Sequence, residues 1–189
     1  MTEKEYTQMF SAKKLILKGK RWRKFHEFTV VPTGLCIATT IGCVGRISKV
    51  GFTEWPLIPF FFLPITFLCW WIPYKNRELK FTDIETSNDQ KGNHALVTNA
   101  LNKLNWGIKK NTPYFIESFT SQDIGFTWGS DMITILLADK KILINCISNV
   151  DIVKNQAFFT FGHLSRTIRK LRDAIEKEIN VSEKGKIEV

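Results

Sequence analysis

The chain has few residue types suited to chemistry: of its 189 residues only four are cysteine and three histidine. Cys36, Cys43, Cys69 and Cys146 form no metal or redox motif, and unpaired cysteines in apolar stretches read as buried, inert thiols. His26, His94 and His163 show neither the His-x3-His nor the His-x-x-Glu spacing that places two zinc ligands on one helix face. There is no Walker loop, no dinucleotide fingerprint and no paired-carboxylate signature. The segment Trp128 to Asp131 sets a serine beside a carboxylate but lacks the Gly-x-Ser-x-Gly pattern, so it reads as a turn. The expectation is a protein that is not an enzyme and has no cofactor or metal.

Charge is missing from two long runs. Phe28 to Gly45 spans 18 residues and Trp55 to Tyr74 spans 20, and neither holds a charged residue, whereas the rest of the chain is densely charged and the whole is net +9. A helix crosses the hydrocarbon core with roughly 20 apolar residues. The two runs therefore predict a transmembrane hairpin, with Arg46 to Glu54 as the outer loop. Gly34, Ala38 and Gly42 recur every fourth position and would form the helix-packing face on which the second span approaches closely. Pro64 would kink the second span, while Pro56 and Pro59 suit its first turn and Pro73 its end.

Basic residues set the expected orientation. The first 27 residues hold eight Lys and Arg against three Glu. Both termini are expected on the cytoplasmic side of an integral membrane protein, in the bacterial inner membrane, with Trp22, Trp70, Trp71 and Tyr74 at the inner interface and Trp55 at the outer. No cleavable signal is expected, since the first apolar run follows a long polar leader. Within that leader Lys13, Lys14, Lys18, Lys20, Arg21, Arg23 and Lys24 would bind anionic lipid at the membrane surface.

From Lys75 onward the pattern is that of an α+β domain. Leu96, Val97, Ala100, Leu101 and Leu104 have helical spacing, with Ser87 or Asn88 as the cap. Leu79 to Thr86 is a short strand or a linker. Trp106 to Lys110 and Tyr114 to Thr120 are strand-like, and Met132 to Ala138 with Lys141 to Ser148 make the clearest hairpin, its nearly continuous Ile and Leu marking central strands. Leu164, Ile168, Leu171, Ile175 and Ile179 form one apolar stripe opposite Arg166, Arg169, Lys170 and Arg172. The sequence thus predicts a two-helix transmembrane hairpin followed by a cytoplasmic domain of helix, antiparallel sheet of three or four strands, and helix. Its boundaries are a basic leader at 1–27, spans at 28–45 and 55–74 around the loop 46–54, the domain at 75–180 and a flexible tail at 181–189.

The sequences ITILLADKKILINCISN and FFTFGHLSRTIRKLRDAI, between Ile133 and Ile175, resemble the ends of small uncharacterised α+β domains attached to bacterial membrane proteins, some of them rhomboid-type. The resemblance implies a strand hairpin leading through an aromatic-x-Gly element to a basic helix. It assigns no residue a function, and His163, Leu164 and Ser165 stand where such domains often carry Asn-Arg or Asn-Lys.

The expected function is that of an accessory, regulatory or interaction subunit of a membrane complex, with Arg166, Arg169, Lys170 and Arg172 as the interaction face toward a protein partner or a second copy. A different class is lipid or small-ligand binding at the junction of the kinked span and the domain. Nucleic acid is disfavoured, because most of the positive charge lies beside the apolar runs and has a topological reason.

Overall fold

The computed structural model describes residues 2–19, 22, 33–34, 37–42, 44–45, 48, 57–120, 131–148 and 162–187, with side chains at all of these except 57–65, 68 and 182–187. The chain divides into two units, Met1–Ile16 with Glu78–Val189, and Leu17–Arg77.

The first unit starts with a helix rather than a free leader. Thr2 and Glu5 form a capping box, the Thr2 hydroxyl accepting the Glu5 N–H at 3.3 Å and the Glu5 carboxylate accepting the Thr2 N–H at 2.9 Å. Helix α1 (Glu3–Ala12) ends where Lys13 turns left-handed at φ 46°. The chain then runs along the segment that follows Glu78: the Leu15 N–H donates to the Leu79 carbonyl at 2.7 Å and the Phe81 N–H to the Lys13 carbonyl at 3.0 Å. The Tyr6 hydroxyl donates to the Leu137 carbonyl at 2.8 Å. Burial first, and Asp139 second, raise the proton affinity of that phenol.

Five strands form one antiparallel sheet in the order β1-β5-β4-β3-β2, with β1 at Thr82–Glu85, β2 at Gly107–Thr112, β3 at Phe115–Phe119, β4 at Asp131–Ala138 and β5 at Lys141–Ser148. The pairing Ile133↔Cys146, Ile135↔Ile144 and Leu137↔Ile142 puts one set of side chains on one face. Onto that face pack Val97, Ala100 and Leu101 of helix α3 (Gln90–Lys103) and Leu164, Leu171 and Ile175 of helix α4 (His163–Ile187). The intervening side chains include Leu136 and Leu143, also fully buried, which is why β4 and β5 read as continuous apolar runs rather than alternating ones.

The other face carries a buried polar row, Glu117↔Thr134↔Asn145, across three neighbouring strands. The Asn145 amide donates to the Glu78 and Lys80 carbonyls, both at 2.8 Å, fastening the approach to β1 onto the sheet. Lys140, at φ 59°, closes the β4–β5 hairpin, and buried Asn93 donates to the Ala138 carbonyl at 2.8 Å beside it. The cap of α3 is Asp89, one residue beyond the expected pair, accepting the Gly92 N–H at 2.8 Å. A Cβ at Gly92 would stand 2.9 Å from the Asn88 Cβ, so the turn needs a glycine there.

Several expectations change. The sheet has five strands rather than three or four, because Thr82–Glu85 takes the strand alternative and pairs with β5. Helix α4 continues to Ile187, through most of the stretch expected to be a tail. The main correction concerns the transmembrane hairpin: among the described residues no helix is long and apolar enough to cross a membrane. A run without charge is not the same as a sustained apolar helix. Helix α2 (Leu57–Glu78) contains Pro59, Pro64, Thr66 and Pro73, and it ends in Lys75, Asn76, Arg77 and Glu78.

The second unit is described in parts. Near the end of α2, Phe67 stacks on Trp71 with centroids 5.5 Å apart and Trp70 stacks on Tyr74 at 5.2 Å. Lys75 is buried with its Nζ 5.4 Å over the Trp71 ring, a cation–π contact that offsets the loss of water around the ammonium. Residues 28–32, 35, 36 and 43 of the expected first span, all of 46–54 except Ser48, and Trp55 and Pro56 lie outside the described residues.

Candidate functional site

Helix α4 has two unlike faces. Its apolar stripe is built into the core, with Leu171 and Ile175 fully buried, Leu164 nearly so, and Ile168, Ala174 and Ile179 partly covered. Arg166, Arg169, Lys170 and Arg172 are all exposed. Arg172 is engaged by Glu176 one turn on, Nε to Oε1 at 2.7 Å. The partly buried Glu178 is met by Lys103 of α3. The outer surface of the helix is therefore basic in its first turns and mixed further on, where Asp173 and Glu176 intervene.

A buried carboxylate lies beneath the start of this helix. Asp131, the first residue of β4, is 3% exposed, and its Oδ2 accepts from the Thr167 hydroxyl at 2.9 Å and from His163 Nε2 at 2.8 Å. Burial raises the proton affinity of this carboxyl, and His163 and Thr167 act against that. The Asp131 N–H donates to the Thr120 hydroxyl at 2.9 Å. His163 is the first residue of α4, preceded by Gly162 at φ 73°, and its side chain is 57% exposed. Asp131 thus sits where the helix dipole and N-terminal donors favour an anion, which leaves less reason for an external phosphate to bind there.

This arrangement can position an imidazole and hold a proton between two groups. Cys146, on the same sheet face, is fully buried, and burial pushes its thiol proton affinity well up, with Asp131 and Glu78 adding to the effect. A thiol so protected is a poor nucleophile. Among the described residues no three His, Cys, Asp or Glu side chains come together as metal ligands.

Of the basic leader residues, Lys13, Lys14 and Lys18 are described. Lys13 is held by Asp83 at 2.6 Å, with Lys141 at 3.2 Å from the same carboxylate oxygen, and these two lysines bring the Asp83 carboxyl down from 3.8 to about 2. Lys14 bridges Lys80 through the backbone, Lys18 is exposed, and Lys20, Arg21, Arg23 and Lys24 lie outside the described residues. Gly34, Ala38 and Gly42 are helical and exposed, and a Cβ added at Gly34 or Gly42 would meet nothing within 4 Å among the described residues. His94 contacts Asn111 at 2.5 Å, while His26 lies outside the described residues.

The pairing of Asp131 with His163 was not anticipated. The two are far apart in sequence, Asp131 at the end of a segment that reads as a turn and His163 directly after the aromatic-x-Gly element. The local signals were an acidic residue opening an apolar strand and a histidine directly after a glycine, neither of which names its partner.

Comparison with known proteins finds no family model and no curated relative that matches the chain. The expected placement as a two-span integral membrane protein does not stand, nor does the expected role as a two-pass membrane subunit, because no described helix is able to span. What replaces them is a five-stranded antiparallel sheet covered on one face by two helices, one of which presents a basic outer surface.

Proposed function

We propose that the α+β unit is a non-enzymatic interaction module that docks an acidic segment of a partner protein on the outer face of α4. The observation that carries this reading is the exposure of Arg166, Arg169, Lys170 and Arg172 on a helix whose opposite face is anchored in the core. The anchoring matters because basic side chains on a rigid helix are already in place, so docking costs less ordering entropy. Arginine also suits the task, since its planar fork pairs with carboxylates bidentately.

An acidic peptide fits better than nucleic acid. Affinity for a nucleic acid comes from a run of phosphates meeting an uninterrupted basic surface. Here Asp173 and Glu176 interrupt the basic face about halfway along the described side chains, leaving a short patch suited to a few carboxylates.

The test is a titration of the full chain with a fluorescent Glu-rich peptide and, separately, with a single-stranded oligonucleotide of equal charge. The peptide should bind in a salt-sensitive way, and Arg166→Glu combined with Arg169→Glu should weaken it about tenfold or more, since like charges then face each other. Equal peptide binding by wild type and the double variant, or a preference for the oligonucleotide, would overturn the reading.

A further inference from the structure

We propose that the Asp131–His163 contact is a proton-sensitive latch that holds the first turn of α4 on the sheet and so sets the order of the docking face. This deepens the docking reading and rests on it only for its consequence, since the latch itself is defined by contacts within the unit.

The geometry gives each part a role. Asp131 is fixed at both its backbone and its side chain: its N–H is taken by Thr120 and its carboxylate by His163 and Thr167. Its place is rigid and nearly dry. His163, in contrast, has one ring nitrogen on that carboxylate while more than half of its side chain faces solvent. The ring exchanges protons freely with water and transmits the change to a buried charge. An imidazole can carry or lack a charge while it keeps the same hydrogen bond, which makes this contact sensitive to protons.

With the imidazole protonated, the contact is an ion pair reinforced by a hydrogen bond, and the carboxylate has a cationic partner in a dry site. When the imidazole loses its proton, Nε2–H still donates but the charge is gone. The carboxylate then keeps only neutral donors, and the pair weakens. Among the described residues, the groups on neighbouring elements supply no substitute cation. From β5 come Ser148, paired with Asp131 in register, and Cys146, which stays a neutral thiol. Glu78, near Cys146, is of the wrong sign. On α4 itself Thr167 is neutral, and Arg166 is exposed on the outer face.

Immediately above the latch runs the first-turn hydrogen bond, from the Arg166 N–H to the Gly162 carbonyl at 3.0 Å. Arg166 is also the first residue of the docking face. Gly162, in the left-handed region that a glycine adopts without strain, adjoins it. Release of His163 therefore loosens the turn that presents Arg166, while Leu171 and Ile175 keep the rest of the helix in the core. Rising pH should reduce both the protection of the Arg166 amide and the affinity of the docking face.

The experiment is hydrogen exchange on the full chain between about pH 5.5 and about pH 8, corrected for the intrinsic base-catalysed rate. The Arg166 amide is the reporter, and the Leu137 amide, which donates to the Tyr114 carbonyl in the sheet, is the internal reference. Arg166 protection should fall about fivefold across this range, the difference between a charge-assisted and a neutral hydrogen bond, with Leu137 unchanged. In His163→Gln the protection of Arg166 should be low and independent of pH. Asp131→Asn should do the same, and if that variant does not fold the His163→Gln result decides. An unchanged pH slope in His163→Gln, or a flat profile in wild type, would overturn the latch. Binding of the Glu-rich peptide, followed over the same range, separates the two proposals. An exchange slope without any peptide binding refutes docking and upholds the latch, whereas binding with a flat exchange profile refutes the latch and upholds docking.

Discussion

The two units use the same apolar residue types in opposite ways. In the sheet Ile135, Ile142 and Ile144 are fully buried, and register gives each a cross-strand neighbour and a helix above it. In the other unit Ile37, Ile41 and Val44 are half or more exposed, as are Trp22 and Trp70, with Ile72 close behind. Hydropathy along the chain reports how apolar a segment is, but not what covers it. Isoleucine at a strand position with paired neighbours is core; isoleucine on an uncovered helix face is surface. Substitutions at matching residue types in the two units should therefore differ widely in cost.

The largest effect is expected at Leu171. Leu171→Asp places a charge against the sheet, which costs several kcal/mol or prevents folding, and loss of the cooperative denaturation transition would register it. Ile144→Ala should cost ~2–5 kcal/mol through lost burial and the cavity left behind, whereas Ile41→Ala should stay within about 0.5 kcal/mol. Equal shifts of the urea midpoint in these two variants would break the comparison between units.

A smaller effect depends on pH. The Asp83 carboxyl is held near 2, below its ordinary 3.8, chiefly by Lys13 and Lys141. A carboxylate depressed in the folded state contributes stability above the unfolded pKa and loses it as pH falls through the folded one. Stability of the wild type should thus drop between about pH 4 and about pH 2 partly because Asp83 takes up a proton, and Asp83→Asn should remove that part of the acid limb. The effect is modest, because the pair is solvent-exposed and salt-screened. Smallest of all is Arg169→Asp, expected to shift stability by no more than about 0.5 kcal/mol while reducing peptide binding.

How much could be read from the sequence follows from the range of the interactions. The stripe of α4 and the β4–β5 hairpin depend on local period and were legible from Leu164 to Ile179 and from Met132 to Ser148. The exposed basic face follows from the same period. The role of the first residues was not recognised, although Thr2-x-x-Glu5 is a capping-box signature. Counting lysines there pointed to a lipid-facing leader, while Lys13 is engaged by an aspartate seventy residues on. Asp131 and His163 meet only through the tertiary fold, and no local spacing encodes their contact. In α2 the uncharged run, with its prolines placed at a first turn, a kink and an end, reads as a span, whereas among the described residues no helix is long and apolar enough to cross a membrane.

The central claim is that residues at the N-terminus belong to the α+β unit and share its stability, in contrast to the exposed Ile37, Ile41 and Val44 of the other unit. Native-state hydrogen exchange on the full chain tests it directly at two amides, Leu15, which donates to Leu79, and Phe81, which donates to Lys13. Both should be strongly protected and should respond to denaturant together with the Leu137 amide of the sheet. Exchange of Leu15 and Phe81 at the rate of unstructured peptide, with Leu137 still protected, would contradict the account and return the first residues to the status of a detached leader.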